Sequence, residues 1–483
     1  MTLKLFNTLN RRIEIFEPKT DNVVNLYTCG PTVYDYLTIG NWVSYITWDI
    51  LVRVLITNDY EVNRAMNITD VGHLVSDGDD GQDKLEKGAK REGKSAWDIA
   101  SFYTEDFLTS MKSLNLIIPS HIIRATDYIS QQLELLRSLK KQGYTYQIDD
   151  GIYFDCSKFP SYANFAKLDL DGQKAGARVI YNPQKRQSYD FALWKFTQVG
   201  EKRDMQWLTP NDLVITNEDI FGFPGWHLEC SAIAKGVLGD TLDIHTGGID
   251  HIAVHHTNEI AQSEAANKVQ LSRYWLHNNH MMINGTKISK SLGNGYTLAD
   301  IIKHDYSLME YKLFVLQSHY RSESNFTFEN LLSAKNRLNN WYNIACLRHQ
   351  IHDTIVKDKE KETSLRAAPQ AILEALNNDL NTPEALHIID KSFSKLTDIE
   401  TDKLHYDSFV KLIKFIDQVL GLNLINLTPD ISDENKIIIL ARQRARENQD
   451  WNESDKLRDQ LLKNNISVKD TSNGPIWNYT KYV

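Results

Sequence analysis

Apolar, β-branched and aromatic residues crowd Val23 to Thr28, and Gly30-Pro31 stops the run. Beyond Gly40-Asn41, the residues Val43, Ile46, Ile50, Val54 and Leu55 fall on or near one face at helical spacing. This predicts strand, turn, loop and helix close to the N-terminus. Tyr60 to Thr69 predicts a second strand. Asp77 to Lys94 reads as a charged loop or helix start, and Ala96 to Leu114 and Tyr128 to Lys141 as amphipathic helices. Asp149-Asp150-Gly151, set between Tyr144 to Ile148 and Ile152 to Asp155, is hairpin chemistry. From there to about Met205 the helical period is lost.

The alternation resumes at Gly225, with a strand at Thr241 to His245, a helix at His251 to Asn267 and a strand at Tyr274 to Ile283. Thr297 followed by Asp300 predicts a helix cap. Glu329 to about Leu422 reads as almost wholly helical, interrupted at Lys357 to Lys361. A helix pair, Ser432 to Asn448 and Glu453 to Asn464, precedes a short extended tail.

The whole predicts an α/β chain. A Rossmann-like parallel-sheet domain spans 1–120 and 206–295, with a β-rich insertion at 121–205. A linker at 296–328, a helical bundle at 329–425 and a small C-terminal domain at 426–483 follow. In such sheets ligands bind beyond the C-terminal strand ends, where a helix start such as Gly40 offers N–H groups to phosphate.

Composition narrows the picture. With 483 residues, 42% hydrophobic and 24% charged, the chain can bury a sizeable core. A net charge of −9 excludes a bulk polycation. Nucleic-acid contact must therefore use local patches, of which Arg442, Arg444, Arg446, Lys456 and Arg458 form the best. No apolar run is expected to span a bilayer, and the polar stretch Asn7 to Arg12 argues against a signal peptide. Four scattered cysteines, Cys29, Cys156, Cys230 and Cys346, are too few for a disulfide scaffold and point to a reducing cytoplasm.

Several residues offer chemistry, each beside a plainer role. The loop Lys287-Ile288-Ser289-Lys290-Ser291 suits a pyrophosphate, or is an ordinary solvated loop. His255 and Glu259 share a helical face and could hold one metal ion, or pair with each other. Cys29, Cys230, His255 and Glu259 together make a mixed set of the kind zinc accepts, although no pair has CxxC spacing. Either cysteine alone is more often a small buried hydrophobe. Asp250 has the plainer alternative of a helix N-cap, and Trp226 that of a core residue.

The ordered set CGPTVYDY–TIGN, NITD, DFALWK, PGWHLECS, GGID–HHTNE, KISKSLGN and DWNESDKLRD–W resembles the cysteinyl-tRNA synthetase family, within the class I aminoacyl-tRNA synthetases, over nearly the whole chain. The resemblance implies that Cys29, Cys230, His255 and Glu259 are ligands of one active-site zinc. It places Thr38, Gly40 and Asn41 in the nucleotide signature, and Lys287 and Lys290 in the loop holding the ATP phosphates. Tyr27, Thr69, Trp226, His227 and Asp250 line or flank the amino-acid pocket, with Asp250 opposite the substrate ammonium group.

The implied reaction activates L-cysteine with ATP and Mg2+ to the adenylate, then charges tRNA(Cys). The implied protein is a cytoplasmic monomer. The linker becomes a stem-contact region and the C-terminal domain an anticodon reader, with Trp477 as a base-stacking side chain.

The sequence departs from the family where Thr38 replaces the signature's first histidine, Val43 an arginine, Thr257 a glutamate, and Ala253-Val254 a Phe-Pro pair. Thr38 can donate one hydrogen bond to a triphosphate but carries no positive charge, so a slower first step is expected. Two rivals stay open: a ligase that passes cysteine to a small amine, and a non-catalytic RNA-binding relative.

Overall fold

The computed structural model describes residues 2–71, 83–169, 182–198, 200–215, 218–288, 293–350, 359–397, 406–471 and 474–481. Strand β1 (Val23–Thr28) and helix α1 (Ile39–Thr57) fall where the hydrophobic pattern puts them. With β2 (Glu61–Ile68), β3 (His121–Arg124), α2 (Trp226–Leu238), β4 (Leu242–Gly248), α3 (Thr257–Asn267) and β5 (Ser272–Asn278) they build a parallel sheet of order β5-β4-β1-β2-β3. The order reverses between β1 and β4, so the crevice above their C-terminal ends is the switch point where open α/β sheets bind ligands. Cys29 lies one residue past β1, and its N–H donates to the Thr246 carbonyl of β4 (3.2 Å).

Helix α1 is more buried than a one-faced amphipathic helix. Trp42, Ile46, Trp48, Leu51 and Val54 are all buried, because the sheet covers one side and later helices the other. By length and composition alone α1 could cross a membrane. Yet 78% of its apolar window is buried within the protein, as in a core helix.

Its buried Asp49 accepts from Arg53 Nε (2.7 Å) and from Lys312 Nζ (3.1 Å). Those two cations also donate to the carbonyls of Asn115, and of Gln418 and Gly421 at the end of the Tyr406–Leu420 helix. Both charges thus have partners, as burial requires. Gly421 has φ 62°, and a Cβ there would stand about 2.6 Å from Arg53. This knot ties α1 to the helical bundle.

The other face of the sheet carries α2 and α3 over Tyr27, Cys230, Ile233 and Trp275. An N-terminal hairpin (Lys4–Asn7 with Arg12–Ile15) covers the β5 edge, with the Thr8 N–H donating to the Trp275 carbonyl (2.8 Å). A second, antiparallel sheet contains the expected hairpin Thr145–Ile148/Gly151–Phe154, joins Phe191–Phe196 and runs on past Met205 to Phe221–Pro224.

Two expected elements are broken. The strand at 274–283 becomes β5 and Met281–Ile283. The helix at 251–267 begins only at Thr257, after a tight turn at Ile249–His251 and a wide π-turn at Ile252–His256. In that wide turn Thr257 Oγ1 donates to the Ile252 carbonyl (2.8 Å), satisfying a group that regular helix bonding leaves over. Thr297 caps Leu298–Lys303 as expected, accepting from the Asp300 N–H.

Candidate active site and metal centre

Four elements meet at the switch point. β1 delivers Cys29, the second turn of α2 delivers Cys230, the wide turn delivers His255 and the first turn of α3 delivers Glu259. All four are buried, and one donor atom from each lies within 4.8 Å of the others. His255 Nε2 is 2.8 Å from Glu259 Oε1, and Cys29 Sγ is 4.0 Å from that oxygen.

A second set, Cys29, His245, His256 and Glu259, is equally tight. The hydrogen bonds favour the first. His245 Nε2 holds Glu259 Oε2 (2.9 Å), which turns Oε1 toward Cys29 and His255. His256 is engaged through Nδ1 with His277 Nε2 (2.7 Å). His245 thus orients Glu259, and His256 Nε2 stands 3.4 Å from Cys29 Sγ, so both occupy the place of an outer layer around the first set.

Electrostatics agree. Burial pushes the Glu259 carboxyl up, but the imidazoles of His245 and His255 outweigh it and bring it down to about 2. Burial pushes His255 down, but Glu259 and Cys29 raise it to about 10. Burial raises both thiols; hydrogen bonding from Cys230 and the His256 charge still draw Cys29 well below its usual value, while Cys230 stays well above. Such a set offers soft sulfur, imidazole and carboxylate donors, which suits zinc.

The other predicted site residues surround this cluster. Tyr27 is fully buried against it, its phenol pushed up by burial and by Cys230 and Cys29. The Trp226 ring lies 4.4 Å from the His255 ring, and His227 Nδ1 is 3.0 Å from His255 Nδ1. Thr69 is buried and donates its hydroxyl to Glu229 Oε1 (2.7 Å), so that hydroxyl is already committed. Asp250 is exposed within the Ile249–His251 turn and caps no helix there. Gly247 is required: a Cβ would meet His251 Nδ1 at 2.6 Å and His256 Cε1 at 2.7 Å.

At the start of α1, Asn41 Oδ1 accepts from the Thr38 N–H (3.0 Å) and from the Thr38 hydroxyl (2.8 Å). The hydroxyl expected to reach a triphosphate is thus turned onto Asn41. The side chain of Ile288 packs over Gly40, where a Cβ would meet its Cδ1 at 2.3 Å, and Thr38 pairs with Thr297. Ile288, the last described residue before the loop's second lysine, therefore sits directly on the signature. Lys287 ends a short strand and is exposed, and Asn294 Nδ2 donates to its carbonyl (3.2 Å). Lys290 lies outside the described residues.

Sequence reasoning missed Glu229, His245, His256 and His277. Register held the signal for one of them: His245 pairs with Tyr27 and Trp275, so all three point to one face.

In the C-terminal domain Trp477 is fully buried among Ile431, Ile439, Leu461 and Ile466, which removes it as a base-stacking side chain. The exposed indole is Trp451, with Arg446 over its ring at 5.3 Å. The basic run is also largely consumed. Arg442 is buried and bidentate on Asp470 (2.6 and 2.9 Å), Lys456 pairs with Glu453, and Arg458 with Asp455.

A parallel sheet with a thiol–imidazole–carboxylate cluster at its switch point, and a glycine-led helix facing a lysine loop, has the architecture of a class I aminoacyl-tRNA synthetase. The family described as tRNA synthetases class I (C) catalytic domain matches residues 15–336, and the cysteinyl-tRNA ligase anticodon binding domain matches 428–477. Among solved structures, Mycobacterium tuberculosis methionyl-tRNA synthetase bound by methionyl-adenylate superposes with a TM-score of 0.58 at 14% identity, covering 86% of this chain and 94% of that one. A leucyl-tRNA synthetase ternary complex from Agrobacterium radiobacter K84 gives 0.61 at 12%, covering 86% and 87%. Both share the fold.

Closer in sequence are cysteine–tRNA ligase 1 of Burkholderia lata, 40% identical over 98% of this chain and 96% of its own length, and the cysteine–tRNA ligase of Treponema denticola, 37% identical over 99% of each. The chain belongs to the cysteine–tRNA ligase family.

Proposed function

We propose that this chain charges tRNA(Cys) with cysteine by way of cysteinyl-adenylate, and that one zinc ion held by Cys29, Cys230, His255 and Glu259 selects the substrate by its sulfur. The observation that carries the reading is the convergence of four remote donors within 4.8 Å. Glu259, with one oxygen already held by His245, presents the other to the cluster, so the donor set fits the ion. Bound there, zinc supplies a soft Lewis acid that favours a thiolate strongly over a hydroxyl. Cysteine and serine are near-isosteres that apolar burial separates only about a hundredfold. Ligation therefore makes a separate editing site unnecessary.

The chain's own residues do the rest. Trp226, packed on His255, walls the pocket, and Asp250 offers its carboxylate to the substrate ammonium. Tyr27 closes the inner side, and Glu229 fixes Thr69. Thr38, Gly40 and Asn41 at the start of α1, with Lys287 and Lys290, would hold the ATP phosphates, whose charge Mg2+ would share. The cysteine carboxylate attacks the α-phosphorus and pyrophosphate leaves. A terminal ribose hydroxyl of the tRNA then attacks the carbonyl and AMP leaves. No enzyme group becomes covalently attached, so catalysis is positioning and charge stabilisation.

The domain matched at 428–477 favours tRNA over a small amine as acceptor. It supports an anticodon reader in which exposed Trp451 offers the stacking surface. We also read the protein as a cytoplasmic monomer; its four cysteines are free thiols, as a reducing compartment requires.

Charging of tRNA(Cys) with cysteine and with serine, before and after zinc removal, tests the reading. Cysteine charging that needs zinc supports it. Stripped enzyme that still prefers cysteine by several orders of magnitude overturns the role of the metal, and absence of charging overturns the function.

A further inference from the structure

Beyond the edge strand β5 lies a cavity of about 490 Å3, within the roughly 300–1,000 Å3 range of small-molecule sites. The N-terminal hairpin, the turn after β4, the insertion and the loop at Arg321 all border it. Its described lining includes Arg11, Arg321 and His277 and no acidic residue, although the chain carries a net charge of −9. Arg321 is already paired with buried Asp379 (2.6 Å), so Arg11 is the principal cation facing the space. Arg11 holds φ 55°, a conformation that disfavours any side chain but glycine, asparagine or aspartate. That strained backbone carries a guanidinium whose NH2 donates, among the described residues, to the Phe165 carbonyl (3.3 Å). Ile249 and Ile252 add an apolar wall, and Thr8 with His277 a polar one (Oγ1 to Nδ1, 2.8 Å).

This combination of one cation, an apolar wall and polar groups suits a nucleoside phosphate: phosphate on Arg11, base on the isoleucines. Location selects the source. His277 Nε2 touches His256 Nδ1 (2.7 Å), and His256 Nε2 is 3.4 Å from Cys29 Sγ. The cavity is therefore two imidazoles from the cluster that holds the amino acid. We infer that it is a mononucleotide subsite for one of the unpaired nucleotides behind the terminal adenosine of tRNA. The inference rests on the tRNA-charging reading above.

The test places the fluorescent base 2-aminopurine at each of the two positions behind the terminal adenosine. It reads fluorescence on binding, the KM for tRNA, and ATP–pyrophosphate exchange without tRNA. Ala253→Phe fills the cavity from an exposed position, and Arg11→Gln removes the charge. One of the two probes is expected to change on binding wild type, and Ala253→Phe to abolish that change and raise the tRNA KM about tenfold or more. Arg11→Gln should raise the tRNA KM, lower the salt slope of tRNA binding by about 0.7 and leave exchange unchanged, with Arg11→Lys restoring most of the loss.

Zinc content of Ala253→Phe checks the nearby ligands, and Arg11→Gln, on an exposed turn, carries the test should that variant misfold. Unchanged fluorescence and tRNA KM in Arg11→Gln and in folded Ala253→Phe overturn the inference. Free CMP that binds wild type and not Arg11→Gln, with tRNA unaffected in both, overturns the tRNA source and assigns the cavity to a free nucleotide. The fluorescence arm reads binding alone, so a chain that charges nothing fails the earlier reading without obscuring this one.

Discussion

The thiol–imidazole–carboxylate cluster and the C-terminal helix pair show opposite fates for reactive-looking residues. Cys29, Cys230, His255 and Glu259 are scattered along the chain, yet they converge on one point. Arg442 to Arg458 are neighbours in sequence, yet most are spent on internal ion pairs. Burial explains the difference. A buried polar group must find a partner, and these donors find one another across remote elements: His255 pairs with Glu259, and Cys29 lies 4.0 Å from the same oxygen. An exposed charge run has solvent and nearby carboxylates to satisfy it, so its density says little about a partner.

The strongest way to break this contrast is Cys230→Ser. Zinc content is expected to fall from one per chain toward none. Cysteine-dependent pyrophosphate exchange should drop by more than the roughly 10–100-fold typical of outer-shell partners. Retained metal and activity would place the ion on the alternative set with His245 and His256.

Trp477→Ala should unfold the C-terminal domain, costing about 3–5 kcal/mol as buried Trp→Ala changes do; thermal denaturation reads it. Trp451→Ala should leave melting unchanged and weaken tRNA binding by about 1–3 kcal/mol. Reversed outcomes would restore Trp477 as the stacking ring. His245→Ala should weaken zinc binding about 10–100-fold with the four ligands intact, read by competition with a chelator.

The smallest effect is the pH dependence of the Asp470 pair. Its hydrogen bond from Arg442 holds the carboxyl below the usual 3.8. A depressed carboxyl stabilises above its unfolded value, and that contribution is lost as pH falls through the folded one. Melting of the C-terminal domain should therefore be steady near neutrality and fall in acid below the usual aspartate range. After solvent screening the Asp470 share is below about 1 kcal/mol, and Asp470→Asn should remove it.

Much of the frame was legible along the chain. β1, α1 and the Thr297 cap lie where local pattern and capping chemistry put them, since period and cap act over a few residues. The grouping of Cys29, Cys230, His255 and Glu259 was suggested by residue type together with family resemblance, not by spacing, because their closeness is made by strand order. The wide turn before α3 was not legible. Its extra residue is stabilised by the particular bond from Thr257 to Ile252, which no periodicity encodes. Nor was it legible that Trp477 is buried and Trp451 exposed, for both are aromatic residues in a polar stretch and only packing tells them apart.

Residue order alone determined the alternating strands and helices, the helical second half and the presence of soft metal donors. Those follow from short-range sterics and hydrophobic period. Tertiary structure alone decided which histidines support Glu259, which indole meets solvent, and where Arg11 faces a cavity. Each depends on which distant backbone stands opposite a side chain, and that is set by burial of the whole core rather than by any neighbour in the chain.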